Sequence, residues 1–388
     1  MPVKTISFPI RVFLRFFLAA AGSFLLAVPG DVPPSGDTLI LDIPSTPENP
    51  RNSEGSFVTL RSGRILFAYT QFYKGGSDES PARIVSVHSD DGGRSWSKPP
   101  QVLVENRAGR NMMSVSLLRL KSGRIALFYL IKNSWLDCRP WLQISENEGQ
   151  TWSPPKLATE SPGYFVLNND RVAQLGSGRL VMPLAFHRSR SADPQDRRTF
   201  DSRAIAMWYL SDDEGQTWRE SADWWGPPLP NRSGLQEPGV VELADGGLFS
   251  WARTDLGSQY LFLSSDSGIS WTPPVASSLQ SPLSPASIKR LPDSADLLAV
   301  YNDHSGRYPF PAGRRTPLVA AISRDNGKTW ETLRMIEEDP AGSYCYTAIH
   351  FVKDAVLLGY IDFRASKKDP LGNRLRLRKI PLDWLIHP

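Results

Sequence analysis

Five near-copies of one eight-residue pattern constrain this chain more than any other feature: SDDGGRSW (89–96), SENEGQTW (145–152), SDDEGQTW (211–218), SSDSGISW (264–271) and SRDNGKTW (323–330). They recur about every 53 to 66 residues, too long a period for most helical repeats and suited to a four-stranded unit. Within each box, Asp at the third position can accept backbone N–H bonds inside a turn. Gly at the fifth permits a positive φ, and the closing Trp supplies a large apolar surface for packing between neighbouring units. Asn147 replaces the Asp in the second box and keeps the carbonyl acceptor. The boxes read as structural clasps, not as metal sites: their ligands are too few and are dispersed along the chain.

Between boxes a second signal recurs, an apolar run, a tight turn and another apolar run, as in SFVTL-RSGR-ILFAY and GVVEL-ADGG-LFSWA. Each is a hairpin signature. With the weaker SIKRL-PDSA-DLLAVY and TAIHF-VKDA-VLLGYI there are six such hairpins, in units of roughly 57 residues that account for almost all of 38–388. The expected fold is all-β, a six-bladed β-propeller, which protects its sheet edges by radial repetition. The sixth hairpin has no box after it, so DTLILDI (37–43) is expected to supply the missing outer strand and close the ring. Arg374, Arg376 and Arg378 alternate as in a solvated outer strand.

Residues 1–30 carry Lys4, Arg11 and Arg15, no acid, and the apolar run 16–28, which reads as a signal peptide ahead of a domain spanning 31–388. An uncleaved anchor is the rival reading; either puts the domain outside the cytoplasm, secreted or periplasmic. The chain's net charge is +4, and without those three cations residues 31–388 carry +1. Charge therefore implies no nucleic-acid partner, and no stable membrane insertion is expected once the leader is removed. Cys138 and Cys345 are the two cysteines, which rules out a disulfide-stapled scaffold and leaves one bridge open.

Two strands separate the tight turns from the boxes, so both fall on one face. The longer loops and blade connections collect on the other. That face holds Arg51, Asn111, Asn169, Arg171, Glu237 and Tyr346 from the connections, and Asp78, 187–203, Arg253, 303–315 and Arg364 from the loops. Arginines, carboxylates and a tyrosine converging on one mouth suit an anionic small substrate. No Cys/His cluster has metal spacing, and neither a nucleophile elbow nor a phosphate loop occurs.

At this point the chain resembles the exo-sialidase (neuraminidase) superfamily, six-bladed propellers carrying these Asp-boxes, also called bacterial neuraminidase repeats. In GLQEPGVVELADGGLFSWARTD (234–255) the resemblance places the family's Glu at Glu237 and an Arg at Arg253. RTPLVAAISRDNG points to Arg315, CYTAIHF puts the family's nucleophilic Tyr at Tyr346, and SDESPARIVSVHS offers Asp78 as the acid. The resemblance implies a retaining exo-α-sialidase that needs no cofactor or metal and acts on acidic glycans or glycoconjugates. A sialoside carries a carboxylate on its anomeric carbon, which repels an anionic nucleophile and favours a neutral phenol. Tyr ionises near pH 10, so Glu237 would take its proton. Asp78 would protonate the departing oxygen, a task that needs a neutral carboxyl. Arg253 and Arg315 would hold the substrate carboxylate.

One motif departs. The family's first carboxylate-binding Arg stands in an Arg-Ile-Pro motif, where this chain reads PRNSEGSFVTL and spacing puts Ser53 at the Arg position. Arg51, two residues earlier, or Arg171 would have to supply the charge, and Glu54 is placed to recognise hydroxyl or ammonium groups. The departure keeps open a glycosidase or lyase for another acidic sugar, and a non-catalytic glycan-binding propeller. His187 heads a loop that reads as solvated, with a basic rim of the mouth as the alternative, and Met112 and Met113 read as core.

Overall fold

The repeats fold as six four-stranded antiparallel units in a computed structural model that describes residues 37–364 and 372–387. The expected signal peptide lies outside the described residues. After β1 (Thr38–Pro44), the first blade is β2 (Arg51–Thr59), β3 (Ile65–Phe72), β4 (Ala82–Ser89) and β5 (Gln101–Val104). The second is β6 (Asn111–Arg119), β7 (Ile125–Lys132), β8 (Cys138–Ser145) and β9 (Lys156–Leu157). A short β10 (Tyr164–Val166) then pairs with β8 on one side and β12 on the other. The third blade is β11 (Ala173–Gln174), β12 (Leu180–His187), β13 (Ile205–Ser211) and β14 (Arg219–Glu220). The fourth is β15 (Gln236–Glu242), β16 (Leu248–Arg253), β17 (Ser258–Ser264) and β18 (Val275–Gln280). The fifth is β19 (Ser287–Arg290), β20 (Leu297–Asn302), β21 (Leu318–Ser323) and β22 (Glu331–Glu337). The sixth is β23 (Tyr344–Val352), β24 (Ala355–Phe363) and β25 (Asn373–Pro381), followed by the short helix α1 (Leu382–Ile386).

The ring closes as the sequence implies: β1 pairs antiparallel with β25 and becomes the outer strand of blade six. The fold is a six-bladed β-propeller. Second strands of the blades read as unbroken apolar runs because both faces are covered; every residue of β7, IALFYLIK, is buried. Blade-to-blade clusters form the core, such as Phe128, Met182 and Leu184 between blades two and three.

The repeated turns are the clasps expected of them. Asp91 accepts from the amides of Arg94 and Ser95, both at 2.9 Å, and from the Ser95 hydroxyl at 2.7 Å. Ser95 holds the Asp91 carboxyl far below the ordinary carboxylate range. Closing tryptophans pack between blades: Trp271 stacks on Trp208 of the preceding blade with ring centroids 4.3 Å apart, and Trp218 meets Phe128 edge-on. The turns also grip tight turns next door, as where Glu148 accepts from the Arg61 amide at 2.7 Å.

The arginines of β25 require a correction. β25 is the third strand of its blade, not a solvated outer one, and the face bearing these residues meets acids from its neighbours. Arg374 bonds Asp42 at 2.7 Å, Arg376 pairs with Asp362 at 2.9 Å and Glu337 at 3.1 Å, and Arg378 with Asp37 at 2.8 Å. Alternation identified the face correctly but not what covers it.

Candidate active site

Four inner strands carry the same irregularity at the same place. In β2, β6, β15 and β23 two residues bulge opposite one on the next strand, at Ser53/Ser56, Met113/Ser116, Gln236/Gly239 and Cys345/Ala348. The first bulged residue is left-handed in each: Glu54 (φ 55°), Ser114 (φ 61°), Glu237 (φ 49°) and Tyr346 (φ 58°). A bulge re-aims a side chain, and here all four gather at one point on the mouth. Left-handed backbone in bulky non-glycine residues costs of order 1–3 kcal/mol and is characteristic of functional sites. Close packing holds it: a Cβ at Gly239 would lie 2.2 Å from the Trp251 ring.

At the centre the Tyr346 hydroxyl donates to Glu237 Oε1 at 3.3 Å and lies 3.4 Å from Arg253 Nη1. Arg253 also pairs with Glu237 Oε2 at 3.0 Å, and both side chains are only 11% exposed. Burial, with Glu237 beside it, raises the Tyr346 phenol well above its ordinary value. The Arg315 guanidinium lies 5.6 Å from the Tyr346 ring centroid and donates to Cys345 Sγ at 3.1 Å. Cys138 and Cys345 are both buried free thiols.

On the opposite flank Arg51 forks between two carboxylates, Asp78 at 2.5 Å and Glu54 at 3.1 Å, above the Phe72 ring. Glu54 is buried and also accepts from the Ser114 hydroxyl at 2.7 Å. Burial pushes its carboxyl up to about 7, against the pull of Arg51. Asp78, 67% exposed, behaves oppositely: desolvation works to raise it, but Arg51 prevails and holds it below its ordinary value. The acid role expected of Asp78 needs a neutral carboxyl, and the free chain keeps it ionised.

The structure thus brings Arg51, Asp78, Glu237, Arg253, Arg315 and Tyr346 together. Arg171 is elsewhere: buried in the interior, it donates from its two terminal nitrogens to the Ala286 carbonyl at 2.6 Å and the Ser287 hydroxyl at 3.3 Å. Burial lowers it to about 10. Of the two candidates for the missing first Arg, only Arg51 reaches the mouth. Arg364 bonds Asp339, Asp362 and Tyr344 instead. His187 is not in a solvated loop; it is buried, stacked on Phe200, and burial drops it to about 4. Met112 is core as expected, while Met113 lines the site.

Sequence reasoning did not single out Lys132, which is 2% exposed, bonds Glu79 at 2.5 Å and lies 4.7 Å from the Trp135 ring centroid. Burial lowers it to about 8. Its signal was available: a lysine ending an otherwise wholly apolar strand. Lys132, Glu54 and Ser114 wall a chamber of about 100 Å³ with Met113, Leu130 and Val166, beside a wider cleft of about 790 Å³.

The chain matches the BNR repeat-like domain family over residues 68–361. It is 24% identical over 387 aligned positions to a sialidase of Micromonospora viridifaciens, covering 90% of this chain and 56% of that protein. It thus spans little more than half the length of that relative. Among solved structures, the NanB sialidase of Streptococcus pneumoniae (K499G mutant) superposes with a TM-score of 0.68 at 15% identity, over 90% of this chain and 71% of that one. A Dyadobacter fermentans protein of unknown function superposes with a TM-score of 0.67 at 20% identity, over 89% of this chain and all of that one. The likeness to solved structures concerns the fold, and the match over 68–361 identifies this chain as a member of the BNR repeat-like family within the exo-sialidase superfamily.

Proposed function

We propose that the chain is a retaining exo-α-sialidase that removes terminal sialic acid from glycoconjugates. The observation that carries this reading is the Tyr346 hydroxyl held 3.3 Å from Glu237 and 3.4 Å from Arg253. A phenol whose ionisation is opposed by burial cannot act as free phenoxide, so its proton passes to Glu237 as its oxygen attacks the anomeric carbon. The glycosidic C–O bond breaks as that bond forms, and Asp78 delivers a proton to the leaving oxygen. Water then attacks the anomeric carbon with Asp78 as its base, the bond to Tyr346 breaks as Glu237 returns its proton to the phenol oxygen, and the anomeric configuration is retained.

Arg51, Arg253 and Arg315 are the cations for the substrate carboxylate. A carboxylate arriving at Arg51 competes with Asp78 for it. Displaced from the guanidinium, Asp78 loses the charge that keeps it ionised and becomes able to carry the proton the reaction needs. The leader read in the sequence supports export, with extracellular or periplasmic glycans as substrates.

The test is release of a fluorogenic aglycone from an α-sialoside by the purified protein. Turnover is expected, falling by about 10³-fold or more in Tyr346→Phe and steeply in Asp78→Ala. A folded protein inactive at every pH would overturn this reading. Glu54, which faces the substrate where the family motif has been replaced, favours a second one: hydrolysis or elimination on a different acidic sugar, tested by the same assay with uronic and ulosonic acid glycosides.

A further inference from the structure

We propose that Glu54 sets the anion affinity of the mouth: protonated, it leaves the Arg51 charge available to an acidic ligand, and ionised, it cancels that charge. The inference rests on the sialidase reading for its ligand class and on separate observations for its mechanism.

The geometry is that of a guanidinium with both terminal nitrogens committed. Arg51 Nη1 bonds Asp78 and Nη2 bonds Glu54, so two negative charges meet one positive charge. An incoming carboxylate would make a third. The electrostatic cost falls if one resident carboxyl becomes neutral, and the two are not equivalent. Asp78 is exposed at the rim and stabilised as an anion by Arg51. Glu54 is buried on a bulge, and its surroundings already favour the neutral form. It faces Arg51 on its own strand, Asp78 from the loop after β3, Ser114 on β6, Glu237 on β15 and Tyr346 on β23, with Lys132 of β7 across the chamber. Two of these neighbours, Asp78 and Glu237, are carboxylates that oppose its ionisation, and a bound anion adds a third.

Linkage then demands reciprocity. If protonation of Glu54 favours anion binding, anion binding must favour protonation of Glu54, and the protein takes up a proton when ligand binds above neutral pH. A carboxyl that only shapes the pocket would produce no uptake.

The experiment measures KM and kcat for a fluorogenic α-sialoside across the range from about pH 5.5 to 8.5, for the parent, Glu54→Gln and Ser114→Ala. It adds calorimetry of N-acetylneuraminic acid binding in two buffers of different ionisation enthalpy. Glu54→Gln keeps the size and the acceptor for Ser114 and removes the charge. The parent KM should rise about tenfold as pH climbs through 7, with up to about one proton taken up per ligand just above that point. In Glu54→Gln the rise should vanish, the uptake above pH 7 should fall to the share that Asp78 takes on leaving Arg51, and KM above pH 7 should fall below that of the parent. Ser114→Ala removes a donor that favours the ionised carboxyl, so the inflection should move to higher pH. A parent-like KM profile in Glu54→Gln, or binding without proton uptake in the parent, overturns the proposal and leaves the sialidase reading standing. Binding with an uptake that Glu54→Gln diminishes, but no turnover, leaves the role of Glu54 standing and removes the enzymatic reading. A folded parent that neither turns over nor binds overturns both.

Discussion

Two histidines carry a consequence that belongs to single residues. His187, under Phe200 at the mouth, and His350, bonded to Thr59 at 2.7 Å, are both pushed by burial down to about 4. In the unfolded chain each protonates near 6.5, so between about pH 6.5 and 4 the unfolded state binds more protons and folding stability falls as pH falls. The loss from pH 7 to pH 5 is about 2 kcal/mol per histidine. Urea unfolding at both pH values should show His187→Phe losing about 2 kcal/mol less than the parent; an unchanged difference would mean that His187 is not held neutral. Neither shift was visible in the sequence, where His187 reads as part of a polar loop. Glu237, Arg253 and Tyr346 were legible because each stands at a fixed distance from a turn or box. Glu54 was legible only as the acid beside the altered motif and Lys132 only as a lysine ending an apolar strand; their burial among residues from other blades was not.

At the scale of the element, the repeated turns and hairpins were legible because their chemistry is local: a side-chain acceptor, a positive-φ glycine and a short apolar run on either side. The shared bulge was not. Its only trace is a small residue two positions after each left-handed one, as in Glu54–Ser56, Ser114–Ser116, Glu237–Gly239 and Tyr346–Ala348. Small residues there let the inner strand fold against the second strand; the Cβ of an alanine at 239 would sit 2.2 Å from a Trp251 ring that is itself fixed to the Ala286 carbonyl. Gly239→Ala should therefore cost about 1–3 kcal/mol and lower kcat by disturbing Glu237. Gly246→Ala, in a tight turn at φ 85° with nothing within 4 Å, should cost only about 1 kcal/mol and spare kcat. Thermal unfolding and sialoside turnover of the two variants compare them, and equal effects would deny the bulge its role as a rigid frame.

At the scale of the whole molecule, ring closure and the candidate site share one seam. Tyr346 comes from blade six, Arg51, Glu54 and Asp78 from blade one, Glu237 and Arg253 from blade four, and Arg315 from the long loop of blade five. The site exists only if blade one stands beside blade six, and β1 is the segment that ties the chain's start to its last blade. Leu41, 6% exposed, anchors β1 against Leu375 and Leu377 within the cluster that also holds Phe57 and Phe67 of blade one. Leu41→Ala should cost about 2–3 kcal/mol. Because one cluster spans the seam, that cost should fall on the ring as a unit, not on a detachable strand. In urea, far-UV and near-UV circular dichroism should report a single transition moved to lower concentration, with sialoside turnover lost at the same midpoint. Turnover lost well before the global transition would show that β1 can peel away alone, with blade six leaving Tyr346 out of reach of Arg51 while the other five blades stay folded.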